Sequence, residues 1–175
     1  TLSSSSAASD VYKRQKQCYI DAIKEDLQWL GIKADEIYFQ SKRFQRYDEV
    51  AESLKAKGLL YPCFETQQEL ELSRKIKLTR GLPPIYDRKA LKLSKEEIAA
   101  FIEKGIKPHW RFLLPNFEND VFNMERTEIS WLDEVKGAQS IDLSSLSDPV
   151  LIREDGSYLY TLPSVIDDID MEISH

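Results

Sequence analysis

The stretch Ser147-Asp-Pro-Val-Leu-Ile-Arg-Glu-Asp-Gly-Ser-Tyr-Leu-Tyr-Thr-Leu-Pro-Ser-Val-Ile-Asp-Asp-Ile-Asp-Met171 decides the fold. Val150 to Arg153 is a β-run, Glu154-Asp155-Gly156 is a turn, and Ser157 to Leu162 is a second β-run. Alternation along the second run puts Tyr158 and Tyr160 on one face, with Leu159 and Thr161 on the other. Pro163, pre-set for a first helical turn, then opens a helix. A strand that feeds a helix N-terminus is where α/β proteins hold small ligands. Sequence given ends at His175, so the expectation is an α/β sheet whose other strands come from a longer protein.

Outward from that stretch, the chain has 175 residues, enough for one domain or one and a half. A 42% hydrophobic and 31% charged composition favours a globular class over disorder or fibre. No apolar run approaches the roughly 20 residues of a membrane helix, so no membrane role is expected. The net charge of −6 argues against generic attraction to nucleic acid, while leaving room for a shaped RNA site with a local basic face. Cys18 and Cys63 fit a reducing compartment and make no disulfide framework. Residues 1–16 are Ser-rich and lack helical or strand periodicity. No apolar core follows a basic start, so a signal peptide is not expected, and the segment reads as a non-native or disordered leader.

Helical spacing recurs at Ile20, Ile23, Leu27 and Leu30, closed by Gly31, and again at Phe44, Tyr47, Val50, Ala51 and Leu54, closed by Gly58. Ile37-Tyr38-Phe39 and Leu59 to Phe64 read as strands. Thr66-Gln-Gln-Glu69 and Ser94-Lys-Glu-Glu97 are capping boxes that start two further helices. Beyond Gly105 the pattern turns to strands: His109 to Leu114, parts of Val121 to Met124, and Gln139 to Leu143. Helices followed by strands suggest an α+β module inserted in a larger α/β domain.

The residues carry no Gly-rich phosphate loop and no His/Cys cluster at metal spacing. Cys63 has only Glu65 and distant Cys18 as co-ligands, so no metal site is expected. His109 and His175 read as surface or junction histidines. Asp167 and Asp168, early in a helix, read as dipole-stabilising carboxylates. The basic clusters Lys42, Arg43, Arg46 and Arg74, Lys75, Lys77, Arg80 read as solvated helix faces. Tyr160 is open between core packing and orienting a small ligand over the strand ends, with Ser164 about a turn later.

Seven blocks in fixed order carry a resemblance. They are Tyr19-Ile-Asp-Ala-Ile-Lys-Glu-Asp-Leu-Gln-Trp-Leu-Gly31, Gln40-Ser with Arg43 and Tyr47, Gly58-Leu-Leu-Tyr-Pro-Cys63, Gly81-Leu-Pro-Pro-Ile-Tyr-Asp87, Trp110-Arg-Phe112, Val135-Lys-Gly137 and Asp148 to Asp168. In order and spacing they resemble bacterial glutamyl-tRNA synthetase, a class I aminoacyl-tRNA synthetase. Asp155-Gly-Ser-Tyr-Leu-Tyr-Thr-Leu-Pro-Ser-Val165 is most similar to the alphaproteobacterial branch.

The resemblance implies an α/β fold: part of a Rossmann-type class I catalytic domain with an inserted α+β acceptor-stem-binding domain. Residues 17–66 and 152–175 would be catalytic-domain pieces and 67–151 the insertion. It implies a cytoplasmic, monomeric enzyme that activates glutamate with ATP and Mg2+. The glutamyl group then passes to the 3′ end of tRNA(Glu) or, in some relatives, tRNA(Gln). Tyr160 falls on a glutamate contact and Ser164 at the same pocket, where many members have asparagine. Arg111, Lys136 and Gly137 are candidates for acceptor-stem backbone contacts. Asp167 and Asp168 match a structural pair. Some members bind zinc through Cys-x-Cys and a later pair. Cys63-Phe-Glu65 and Arg88-Lys-Ala90 depart from that pattern, so zinc is not expected. Glu172 stands where the family leads one to expect glycine. Both ATP-gripping motifs fall outside the sequence given, so no catalytic residue is assigned and activation by this chain alone is not expected. A tRNA-modifying paralogue of the glutamyl-queuosine type and a non-catalytic RNA-binding module are the alternatives.

Overall fold

The computed structural model describes residues 17–174. The leader expected at residues 1–16 lies outside the described residues, as does His175. The chain divides into two compact units, one ending at Phe39 and one beginning at Gln40.

In the first unit, α1 (Gln17–Trp29) ends on Gly31, whose φ of +72° is left-handed. The Gly31 N–H bonds the Gln28 carbonyl and the Ile32 N–H bonds the Leu27 carbonyl. That pair of bonds satisfies carbonyls the helix leaves open, which is what Gly31 makes possible. The strand expected at Ile37-Tyr38-Phe39 does not form. Three residues make no ladder unless a partner strand lies beside them.

The second unit is a three-stranded antiparallel sheet with helices on it. In chain order its elements are α2 (Phe44–Ala56), β1 (Leu60–Cys63), α3 (Gln67–Thr79), α4 (Lys95–Glu103), β2 (His109–Phe112), β3 (Glu128–Asp133), β4 (Gly137–Asp142), β5 (Val150–Ile152) and α5 (Thr161–Asp170). Strand order is β1-β2-β5, and β3-β4 is a separate hairpin. All pairs among the described strands are antiparallel, so these residues do not themselves form the parallel sheet of a Rossmann fold. The sheet runs across the expected boundaries: β1 precedes residue 67, and β2 lies within 67–151.

Alternation sorts β1 and β2 into two faces. Leu60, Trp110 and Phe112 join one apolar cluster with Leu151 and Ile152, covered by α2 and α5. Helix α2 contributes Tyr47, Val50, Ala51 and Leu54, a run at helical spacing, and α5 contributes Leu162 and Ile166. Tyr61 and Cys63 point to the other face and pack with Ala90, Tyr86 and Leu113. Both capping boxes form as expected: Thr66 with Glu69 starts α3, and Ser94 with Glu97 starts α4.

Three strand expectations are corrected. Val121 to Met124 is a turn and bend, held in part by the Phe122 N–H on the Asp120 carboxylate. Glu128–Asp133 is an extra strand; it pairs with β4, which begins at Gly137 rather than Gln139. Ser157 to Leu162 is not a strand. It makes one bridge, Tyr158 opposite Ile152, and α5 begins at Thr161, before Pro163. Proline fits there because the first helical residues have no intrahelical acceptor for their N–H groups.

Candidate functional site

The turn Arg153–Gly156, closed by the Gly156 N–H on the Arg153 carbonyl, returns the chain beside β5 and into α5. Tyr160 is the residue just before that helix, in helical conformation, and its carbonyl accepts the Ser164 N–H at 3.1 Å. Its side chain is 81% exposed, so it packs in no core of the described residues. Ser164 is half-buried on the next turn. Tyr158, expected on the same face, instead packs against the apolar cluster and donates its hydroxyl to Asp48. The helical turn at Thr161 breaks the alternation that the sequence suggested.

Helix α5 is fastened to α2 by a charged clasp. The fully buried Tyr47 gives its hydroxyl to both carboxylate oxygens of Asp167, at 2.9 and 2.8 Å. Arg43 Nε donates to Asp167 at 2.7 Å, and Arg43 Nη2 to Asp170 at 2.6 Å. Arg46 grips Asp170 through Nε and Nη2 at 2.9 and 2.8 Å. The Arg46 and Arg43 guanidiniums hold the Asp170 carboxyl down at about 2. Arg43 is thus partly buried and Arg46 remains exposed, and both are ion-paired to α5 rather than forming only a solvated basic face.

On the opposite face of the sheet Asp148 is a hub. Arg88 is fully buried in left-handed conformation at φ 58°. Its Nε and Nη2 donate to the two Asp148 oxygens, each at 2.9 Å. Its remaining donors go to the Val121 carbonyl at 2.7 Å, the Leu114 carbonyl at 2.9 Å, and Asn116 Oδ1. Tyr61 donates its hydroxyl to Asp148 at 2.7 Å, and Arg111 Nη1 donates to the Asp148 carbonyl at 2.7 Å.

The three candidate RNA contacts are not gathered in one place. Arg111 is buried, with its guanidinium 4.3 Å from the centre of the Tyr86 ring. It reaches outward only as part of a cavity of about 190 Å³ that Arg74, Lys77, Lys89 and Tyr86 also line. Lys136 is exposed in the β3–β4 turn, and Gly137 follows it at φ +75°. Asp133 fastens that turn by accepting the Val135 and Lys136 N–H groups at 2.9 and 2.8 Å. The hairpin leaves Trp131, Leu132 and Val135 exposed.

Cys63, Glu65 and His109 form a further cluster, their ligand atoms within 4.8 Å of one another. Burial first, then Glu65, pushes the Cys63 thiol up to about 12, while burial and Arg111 hold His109 below its usual value. Tyr86 donates its hydroxyl to Glu65 Oε1 at 2.5 Å. Short sequence spacing hides this group, because His109 arrives across the β1–β2 ladder.

Residues 10–175 match the family described as tRNA synthetases class I (E and Q), catalytic domain. The chain belongs to this family.

It is 70% identical over 163 residues to glutamate–tRNA ligase 2 of Bartonella henselae, covering 93% of this chain and 36% of that protein. It is 59% identical over the same length to glutamate–tRNA ligase 1 of Chelativorans sp.. A crystal structure of a glutamate tRNA ligase from Elizabethkingia meningosepticum, in complex with its amino acid, superposes with a TM-score of 0.74 at 27% identity. It covers 93% of this chain and 34% of that one. The chain thus spans about a third of the length of the relatives it matches.

Sequence reasoning missed the roles of Arg88 and Asp148, and named Glu65 only as a possible co-ligand of Cys63. Arg88 stood out only as the neighbour of an absent cysteine. One signal was available: Asp148 precedes a proline and a β-run, and a lone carboxylate entering a buried strand needs a cationic or hydroxyl partner.

Proposed function

We propose that this chain is part of a glutamate–tRNA ligase, which activates glutamate with ATP and transfers it to the 3′ end of tRNA(Glu). Family membership and the relatives' names support the reading. The observation that carries it is the exposed Tyr160 phenol at the start of α5, a helix locked in place by Tyr47 and Arg43 on Asp167. A phenol so held can present a hydrogen bond to a small substrate without first losing rotational freedom of its helix. Ser164, one turn along, can add a second polar contact to glutamate.

In this reading residues 67–151 serve acceptor-stem binding. Lys136, exposed on the hairpin turn, and the basic cavity of Arg74, Lys77 and Lys89 would meet backbone phosphates, where cations position rather than read sequence. ATP with Mg2+ is the co-substrate, and no residue of this chain is assigned to it. The working enzyme is a cytoplasmic monomer, with tRNA(Gln) as a possible second acceptor to be tested beside tRNA(Glu). In the described residues no helix is long and apolar enough to cross a membrane.

The test is Tyr160→Phe in the full-length protein. Its glutamate specificity constant should fall by about 1–3 kcal/mol in transition-state terms, the cost of leaving a ligand group unpaired. The Michaelis constant for ATP should stay put. An unchanged glutamate specificity constant in a folded variant would remove Tyr160 from the site.

A further inference from the structure

We propose that Tyr47 and Asp48, consecutive residues of α2, are positioning residues for glutamate: they bracket the start of α5 and so aim Tyr160 and Ser164 at the substrate. The inference rests on the ligase reading above and names the residues that act through its two candidate contacts.

Helical spacing comes first. Tyr160, Ser164 and Asp167 stand at i, i+4 and i+7, so they share one stripe of α5 and its cap. Leu162 and Ile166, on another stripe, join the apolar cluster. Apolar burial is non-directional, so it fixes how deep the helix lies and not how far it is rolled about its axis. Hydrogen bonds are directional. The Tyr47 hydroxyl, given to both Asp167 oxygens at 2.9 and 2.8 Å, therefore fixes the roll of the stripe that carries Tyr160 and Ser164. Tyr47 has little room to follow a moving helix. It is fully buried, and its ring meets Phe44 and Tyr158 edge-on, with centroids 6.1 and 6.0 Å away.

The second anchor lies on the approach to α5. Tyr158, two residues before Tyr160, gives its hydroxyl to Asp48 and lies opposite Ile152. The Leu159 N–H then bonds the Leu151 carbonyl at 2.9 Å. Tyr160 thus stands between two fixed points, at Tyr158 and at Asp167, while its own side chain is 81% exposed. Successive helical residues point about 100° apart, so one turn of α2 reaches both the approach and the helix. A contact group held in this way loses less freedom when the ligand arrives.

Arg43 also holds Asp167, at 2.7 Å. Removing the Tyr47 hydroxyl therefore loosens the clasp without stranding the carboxylate, and Tyr47→Phe keeps the ring in the core.

Steady-state kinetics of the full-length protein test the bracket. Tyr47→Phe and Asp48→Ala should each raise the glutamate KM about tenfold, with kcat changed less than about twofold and the ATP KM unmoved. A variant that is only less stable loses active protein, which lowers kcat and moves neither Michaelis constant. Asp48→Asn keeps an oxygen for the Tyr158 hydroxyl and should recover most of the loss. Tyr47→Phe combined with Tyr160→Phe should raise the glutamate KM by less than the product of the two single effects, because one acts through the other. An unchanged glutamate KM in both Tyr47→Phe and Asp48→Ala would overturn the proposal. So would the full product in the double variant, or Asp48→Asn as impaired as Asp48→Ala. If Tyr47→Phe does not fold, the exposed Asp48 decides, through Asp48→Ala alone and combined with Tyr160→Phe. Should Tyr160→Phe itself leave the glutamate KM where it was, the ligase site falls and the bracket with it. A Tyr160→Phe effect with no effect at Tyr47 or Asp48 removes the bracket alone.

Discussion

Arg88 and Asp148 are joined by two parallel hydrogen bonds, each of 2.9 Å, in a pair from which water is almost wholly excluded. The fork geometry explains why arginine rather than lysine serves at this point. Nη1 also donates to the Val121 carbonyl, and Nη2 to the Leu114 carbonyl and Asn116 Oδ1, so the buried charge has few unmet needs.

Breaking that pair from one side leaves a charge stranded in the interior. Asp148→Ala should cost about 3–5 kcal/mol of stability, as should Arg88→Met. Urea denaturation of each variant beside the parent chain reads the loss directly. A loss below about 1 kcal/mol for both would mean that the pair is not buried in solution.

The clasp between α2 and α5 should make stability fall in strong acid. Asp170 titrates at about 2 in the folded chain, below its unfolded value near 4. A depressed folded value stabilises above the unfolded pKa, and the contribution is lost as pH drops from about 4 through about 2. Thermal melts across that window should decline less steeply for Asp170→Asn than for the parent. Equal slopes would show that the arginines do not hold this carboxylate.

Lys136 and Arg111 should separate in an RNA-binding assay. Lys136→Ala removes an exposed cation, so it should weaken tRNA binding by the full-length protein and lower the log–log salt slope by about 1. Its melting temperature should not change. Arg111→Ala should destabilise the fold, since its guanidinium holds the Asp148 carbonyl and covers Tyr86. Unaltered salt dependence for Lys136→Ala would remove the hairpin turn from the RNA interface.

Thr66→Ala should destabilise by about 1 kcal/mol. The Thr66 hydroxyl accepts the Glu69 N–H at 3.3 Å, while the Glu69 carboxylate accepts the Thr66 N–H at 2.8 Å. Thr66→Ser keeps both bonds and should be close to neutral in the same denaturation experiment.

Local signals read well in this chain because they depend on few residues. The capping boxes at Thr66 and Ser94 are complete within four residues, and the glycines after α1 and α2 stop their helices as expected. Strand β3 was less legible, because Glu128–Asp133 is solvent-exposed along most of its length and shows no buried face to alternate against. The Ser157 to Leu162 segment reads as a strand by composition, yet α5 claims its last two residues. Arg43 and Arg46 look like surface charge because their partners lie more than 120 residues away. His109 was hidden for a similar reason: strand pairing, not sequence spacing, sets it opposite Cys63.

The position of β2 restricts how this protein can be rebuilt. It is the middle strand of β1-β2-β5, but it comes from the segment expected to be an insertion. Excising residues 67–151 would therefore not leave a shortened but intact sheet. It would remove β2, the one strand among the described residues that pairs with both β1 and β5, and cut β5 after its second residue. A graft from a homologue would need to bring its own centre strand in the same register, including the irregularity between Trp110 and Arg111. Any exchange of residues 67–151 between relatives would thus have to carry the floor of the sheet along with the rest of that segment.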